Sequence, residues 1–173
     1  MQSVLKDRTL RLLIITLGAA VFTAACGEAD SDDPNGDDNG DNGMTAEEEA
    51  CLHAQEDTPL PRTATLEMDD ADGDIGNTHL LYEITLAENT DGDYEGYLEY
   101  DVDAGSYALF TSIDVDVVFT DDAGDHITPD VSDVDECVEI AQRHDVELDG
   151  IPLLVRFGPT STDQLYTVTE RVD

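Results

Sequence analysis

The sequence predicts an all-β protein: an antiparallel, jelly-roll-like β-sandwich of about eight strands over residues 44–173. Three observations predict it. Apolar and polar residues alternate with period two in one run after another. Turn residues, chiefly Gly, Asp, Asn and Pro, separate the runs at short intervals. The polar members of the alternation are mostly acidic, which suits antiparallel sheets that keep one face in water.

Taken in order, residues 62–68 place Ala64, Leu66 and Met68 on one face. Residues 78–86 place Leu80, Tyr82, Ile84 and Leu86 inward. Residues 94–102 set Leu98, Tyr100 and Val102 against Glu95, Glu99 and Asp101. Residues 107–111 form a short apolar run, and 113–119 set Ile113, Val115, Val117 and Phe119 against Asp114 and Asp116. Residues 138–148 set Val138, Ile140, His144, Val146 and Leu148 against Glu139, Arg143, Asp145 and Glu147, with a short helix as the alternative for the first half. Residues 151–157 turn Ile151, Leu153, Val155 and Phe157 inward, and 164–172 read as the last strand. Residues 44–60 read as one helical turn or a capped coil.

The chain carries 42 acidic residues against 7 basic ones, a net charge of −35 over 173 residues. That balance excludes a nucleic-acid binder, which needs Lys and Arg at the phosphates. Residues 44–173 keep only Arg62, Arg143, Arg156 and Arg171 as bases. Such a surface repels itself at low salt, and salt relieves the repulsion. Adaptation to a marine or hypersaline exterior is the simplest reading, and a calcium-loaded surface is the competing one. Hydrophobic residues still make up 40% of the chain, enough for a core.

Residues 1–25 read as a signal peptide: Lys6, Arg8 and Arg11 precede the apolar run 12–22, which is too short to span a bilayer. Thr23-Ala24-Ala25-Cys26-Gly27 resembles the lipobox of bacterial lipoproteins, which implies lipidation at Cys26 and a membrane partner through the lipid anchor. Cleavage after Ala25 by an ordinary signal peptidase is the alternative. Gly27 stands where inner-membrane lipoproteins usually carry Asp, which favours the outer membrane or cell surface. Residues 26–43 read as a disordered acidic tether. Their stretch 27–43 holds seven acids, four Gly and three Asn with no base.

With Cys26 lipidated, Cys51 and Cys137 remain as an even pair in an oxidising compartment, and a disulfide between them is expected. The alternative, two thiolate metal ligands, lacks the paired spacing of structural zinc sites.

The stretches GSYALFTSIDVDVVFTDDAGDHI and HDVELDGIPLLVRFGPT resemble bacterial pre-peptidase C-terminal-like sandwich domains. Closer still is a group of deltaproteobacterial lipoproteins. They share an acidic tether, an A-C-x-H start (Ala50-Cys51-Leu52-His53), an H-x-x-Y-x-x-T-L strand from His79 to Leu86, a later Cys (Cys137) and an F-G-P-T end (Phe157 to Thr160). The resemblance spans most of residues 50–172. It implies a sandwich on a lipid anchor and brings no activity with it.

Candidate chemistry is sparse. No G-x-S-x-G, P-loop, H-E-x-x-H or Gly-rich dinucleotide loop occurs, and a non-enzyme is expected. His53, His79 and His144 are candidate zinc or copper ligands, because imidazole suits both metals. The alternation opposes one shared site: His144 shares the inward row with Val146, and His79 the outward row with Glu83. Asp70, Asp72 and Asp74 form a candidate calcium turn, without EF-hand spacing. Tyr97, between Glu95 and Glu99 on a polar strand face, is a candidate sugar-stacking residue. The expected role is a non-catalytic, surface-anchored lipoprotein with a binding or structural task at the envelope, with calcium, zinc or copper as a ligand and an envelope protein or glycan as partner. An adhesion or carbohydrate-binding module is the alternative, and a small secreted enzyme the second.

Overall fold

The structure, a computed structural model, describes residues 43–135 and 137–172. The expected signal peptide, Cys26 and nearly all of the tether lie outside the described residues.

The described residues form one α-helix and eleven strands in two sheets. The elements are α1 (Ala46–Glu56), β1 (Leu60–Thr63), β2 (Leu81–Thr85), β3 (Ala87–Glu88), β4 (Tyr94–Tyr100), β5 (Gly105–Thr111), β6 (Val117–Thr120), β7 (His126–Ile127), β8 (Asp130–Asp133), β9 (Gln142–Leu148), β10 (Leu153–Thr160) and β11 (Gln164–Arg171). One sheet runs in the order β1-β2-β11-β5-β9-β8 and the other β3-β4-β10-β6-β7. All pairs are antiparallel except β1 with β2. The all-β, two-sheet expectation holds, with three more short strands than the alternation shows.

The main core fills the space between the sheets. Tyr82, Ile84, Leu98, Tyr100, Leu109, Phe119, Val155, Phe157 and Leu165 are fully or almost fully buried there. The Tyr100 and Phe119 rings meet edge to face at 5.0 Å between centroids, a favoured aromatic geometry. A second, smaller core lies on the outer face of the six-stranded sheet, where α1 covers Leu81, Ala108, Phe110 and Val168. This explains why 107–111 reads as a continuous apolar run: β5 is central, and both of its faces are covered.

Helix α1 is longer than the single turn expected. Its start is set by a capping box. Thr45 Oγ1 accepts from the Glu48 amide at 3.2 Å, and the Glu48 carboxylate accepts from the Thr45 amide at 2.8 Å. Glu47, Glu48 and Glu49 place negative charge in the first turn, where the helix dipole favours it.

Four local expectations are corrected. Ile151 is 41% exposed and not inward, because β10 begins only at Leu153. The segment 62–68 does not stay in one strand. After Thr63 it crosses to the other sheet, where Thr65 bridges Tyr97, and it ends in a 3-10 turn at Met68–Asp70, leaving Leu66 and Met68 exposed. Gly96 permits the crossing, because a Cβ there would lie 2.7 Å from the Ala64 Cβ. Leu80 is exposed, since strand geometry begins only at Leu81. Residues 138–141 are neither strand nor helix. Val138 is 95% exposed at a turn, while Cys137 and Ile140 tuck under α1.

Candidate metal centre beneath the helix

The site forms where α1 crosses β11. Glu49 and His53 are one helical turn apart, so they share a face of α1. Opposite them stand His79, in the segment entering β2, and Glu170 on β11. One ligand atom from each of Glu49, His53 and His79 lies within 4.8 Å of the other two. His79 Nδ1 is 3.3 Å from Glu49 Oε1 and 2.8 Å from Glu170 Oε2, and His53 Nε2 is 4.0 Å from Glu170 Oε1. Donors bonded at about 2.1 Å to a tetrahedral zinc ion sit roughly 3.4 Å apart, so these spacings bracket what such an ion needs. The imidazole rings stand 5.8 Å apart between centroids.

Each donor is aimed by its local structure. His53 Nδ1 is 2.7 Å from Asp57 Oδ2, which leaves Nε2 for the site. His79 adopts a left-handed backbone at φ 60°, the one non-glycine residue to do so among those described. Such conformations are uncommon for side-chain-bearing residues and cluster at ligand clamps. The His79 amide donates to the Thr169 carbonyl at 3.1 Å, which fixes the ring beside Glu170.

Glu170 is the floor of the site and its least expected feature. Its side chain is 1% exposed, and neither carboxylate oxygen has a hydrogen-bond partner among the described residues. The close approach of His79 is not aligned as a hydrogen bond. Burial, with the charge of Glu49 adding to it, pushes the Glu170 carboxyl up to about 8. A buried carboxylate without hydrogen bonds is costly unless a cation neutralises it. At the rim, His79 and Glu49 are 52% and 40% exposed, so an ion has a route in from solvent.

Of the three candidate imidazoles, the structure brings His53 and His79 together and leaves His144 apart. His144 is fully buried on β9, its Nε2 within 3.2 Å of Thr111 Oγ1. Val146, the next inward residue on its strand, belongs to the core between the sheets, whereas His53 and His79 lie on the outer face. Burial pulls the His144 pKa down to about 4.

Asp70, Asp72 and Asp74 do not converge as a ligand set among the described residues. Asp70 ends the 3-10 turn, and Asp72 is exposed. The Asp74 carboxylate accepts from the Gly76 amide at 2.8 Å, the Asp101 amide at 3.0 Å and the Asn77 side chain at 2.8 Å, so it organises its own loop. Tyr97 is half-buried against the crossing segment at Thr65 and is not a free stacking platform. Cys51 and Cys137 form the expected disulfide, with Cα atoms 5.9 Å apart.

Sequence reasoning missed Glu49 and Glu170. Glu49 reads as one of three helix-start acids, and Glu170 as a solvated position near a strand end. Only the helix lying across β11 makes them part of a site. No protein-family model matches the chain, and no curated protein matches it.

Proposed function

We propose that this chain is an exported, lipid-anchored envelope protein whose sandwich domain binds one divalent transition-metal ion. Glu49, His53 and His79 hold the ion above Glu170, and the role is binding rather than catalysis. The observation that carries the reading is the fully buried Glu170 carboxylate, which faces two imidazoles and lacks any hydrogen-bond partner among the described residues. Two nitrogens with carboxylate oxygens suit zinc or copper, whereas calcium takes oxygen donors only. Glu170 lies beneath that three-residue set as a buried acid. The preference for binding over catalysis rests on the sequence, which holds no H-E-x-x-H or G-x-S-x-G motif.

Export is supported by the Cys51–Cys137 disulfide, together with the apolar run 12–22 ahead of Cys26. The lipoprotein resemblance of residues 23–27 carries the anchor. The jelly-roll reading is supported by strand order. The orders β2-β11-β5-β9 and β4-β10-β6-β7 interleave early and late strands, and six of the ten connections between successive strands pass from one sheet to the other.

The test is elemental analysis of the full chain purified without added metal, followed by melting with zinc, copper, calcium or EDTA. The expected outcome is one zinc or copper per chain, a melt that EDTA lowers, and loss of both effects in His53→Ala/His79→Ala. A chain that takes up neither ion, or a double variant that binds as the parent does, overturns the reading.

A further inference from the structure

Helix α1 is held on its sheet from two opposite flanks. At about 100° per residue, Ala46, Ala50 and Ala54 form one stripe facing the sheet. Ala50 is fully buried, and Ala46 and Ala54 pack against the same small core. Glu49 and His53 lie on one side of that stripe, and Glu47 and Cys51 on the other. The first flank meets His79 and Glu170, on the β11 side. The second meets Arg143 of β9, 3.1 Å from Glu47 Oε1, and Cys137 through the disulfide. Ala108 and Phe110 of β5 lie in the small core between these flanks.

Alanine methyls bury little apolar surface, so the stripe alone anchors the helix weakly. They also offer no bulky knob to stop α1 rolling about its axis. A roll of a few tens of degrees would carry Glu49 and His53 away from His79 and Glu170. The covalent bond at Cys51 fixes that roll from the far flank, two residues from each helix ligand.

We propose that the Cys51–Cys137 disulfide sets the affinity of the metal site, so that the ion is held tightly in the oxidised protein and released when the bond is reduced. The inference rests on the metal-binding reading above. Reduction by a dithiol adds two electrons and two protons to the cystine, giving two thiols, while the dithiol becomes a disulfide. Cys51 is partly exposed, so the reductant can reach a sulfur. Once the bond opens, α1 keeps only its alanine stripe and polar contacts, and the donors Glu49 and His53 are no longer pre-placed. Linkage makes the effect reciprocal: a bound ion seats the helix and must oppose reduction by the same factor.

The experiment measures zinc affinity of the full chain by competition with a chromophoric chelator, for the oxidised protein and for Cys51→Ser/Cys137→Ser. Serine keeps freed thiolates from supplying new ligands. The expected result is affinity weakened about tenfold or more in the double variant, at the scale of ordinary coupling between sites. Tight zinc binding by the parent with affinity within about twofold in the variant overturns the coupling while leaving the metal site standing. No binding by the parent overturns the metal reading itself.

A second measurement needs no variant to fold. The wild-type chain is equilibrated in graded mixtures of reduced and oxidised glutathione, at fixed free zinc or in EDTA. Cys51 and Cys137 thiols are then trapped by alkylation and counted by peptide mass spectrometry. Zinc is expected to raise the thiol-to-disulfide ratio needed for half-reduction about fivefold or more, and an unchanged ratio overturns the coupling.

Discussion

His53 and Asp57 stand one turn apart at the end of α1, with Nδ1 2.7 Å from Oδ2. That contact assigns the two ring nitrogens different tasks: Nδ1 faces the carboxylate, and Nε2 faces Glu170. Carboxylates in this position orient a metal-binding imidazole and raise its basicity, and losing one typically costs about 10- to 100-fold in affinity. Asp57→Asn is therefore expected to weaken zinc binding about tenfold. Asp57 is 40% exposed, and its negative charge sits at the unfavourable end of the helix dipole. The metal-free melting free energy should stay within about 0.5 kcal/mol of wild type. Calorimetric titration beside a chelator-treated melt separates the two effects, and equal zinc affinity would remove Asp57 from the site.

Glu170→Gln should act in opposite directions with and without metal. The amide keeps the shape of the side chain and removes the carboxylate that has no hydrogen-bond partner in a 1% exposed position. In EDTA at neutral pH the variant is expected to be more stable by about 1–3 kcal/mol, since burial raises this carboxyl to about 8 and folding no longer has to protonate it. With zinc present the order should reverse, because the anionic floor of the site is gone. Urea unfolding in both conditions reads the crossover. A variant less stable than wild type in EDTA would show that Glu170 is satisfied without an ion.

Much of this fold is legible in the sequence, and the limits are physical. β4 and β10 face water on one side, so their alternation of Leu98, Tyr100, Val155 and Phe157 with charged residues shows directly. The same alternation is enough to separate His144 from His79, since inward and outward rows of one sheet do not meet. Cysteine counting is enough for the disulfide. What period-two reading cannot show is a helix laid across a sheet. Ala46, Ala50 and Ala54 are too small to advertise an apolar face, and the acids around them resemble a solvated coil. Glu170 then looks like any polar residue near a strand end, because the element that buries it comes from the other end of the domain. The positive φ of His79 is equally invisible, as no glycine marks it.

His144 gives the domain an acid-sensitive core. Burial between the sheets holds its pKa at about 4, against an ordinary value of 6.5. A depressed histidine contributes stability that is complete above the unfolded value and is lost as pH falls through the folded one. The loss therefore begins near pH 6.5 and levels off below about 4, and the gap of roughly 2.5 units corresponds to about 3 kcal/mol. Other groups titrate in this window, so the comparison is with His144→Gln. The advantage of wild type over this variant in EDTA should shrink by about 3 kcal/mol between pH 7 and pH 4. Parallel stability curves would mean that His144 is already solvated in the native protein.

Salt should stabilise the domain without calcium having a special part. Residues 44–173 hold 34 acids against four arginines, a net charge of −30 that makes self-repulsion a standing cost. Screening falls to a length of about 3 Å at 1 M salt, so melting temperature should climb steeply from low salt and then level off. Potassium chloride and sodium chloride should act alike, because screening depends on ionic strength. Calcium is the discriminating ion. The Asp74 carboxylate already accepts from two backbone amides and Asn77, and it does not converge with Asp70 and Asp72. Millimolar calcium should therefore add no more than its ionic strength does, and Asp72→Asn should respond as wild type does. Melting curves in calcium and magnesium chloride at matched ionic strength decide the point. A calcium-specific rise abolished by Asp72→Asn would restore the acidic turn as a binding site and recast the surface charge as a calcium store.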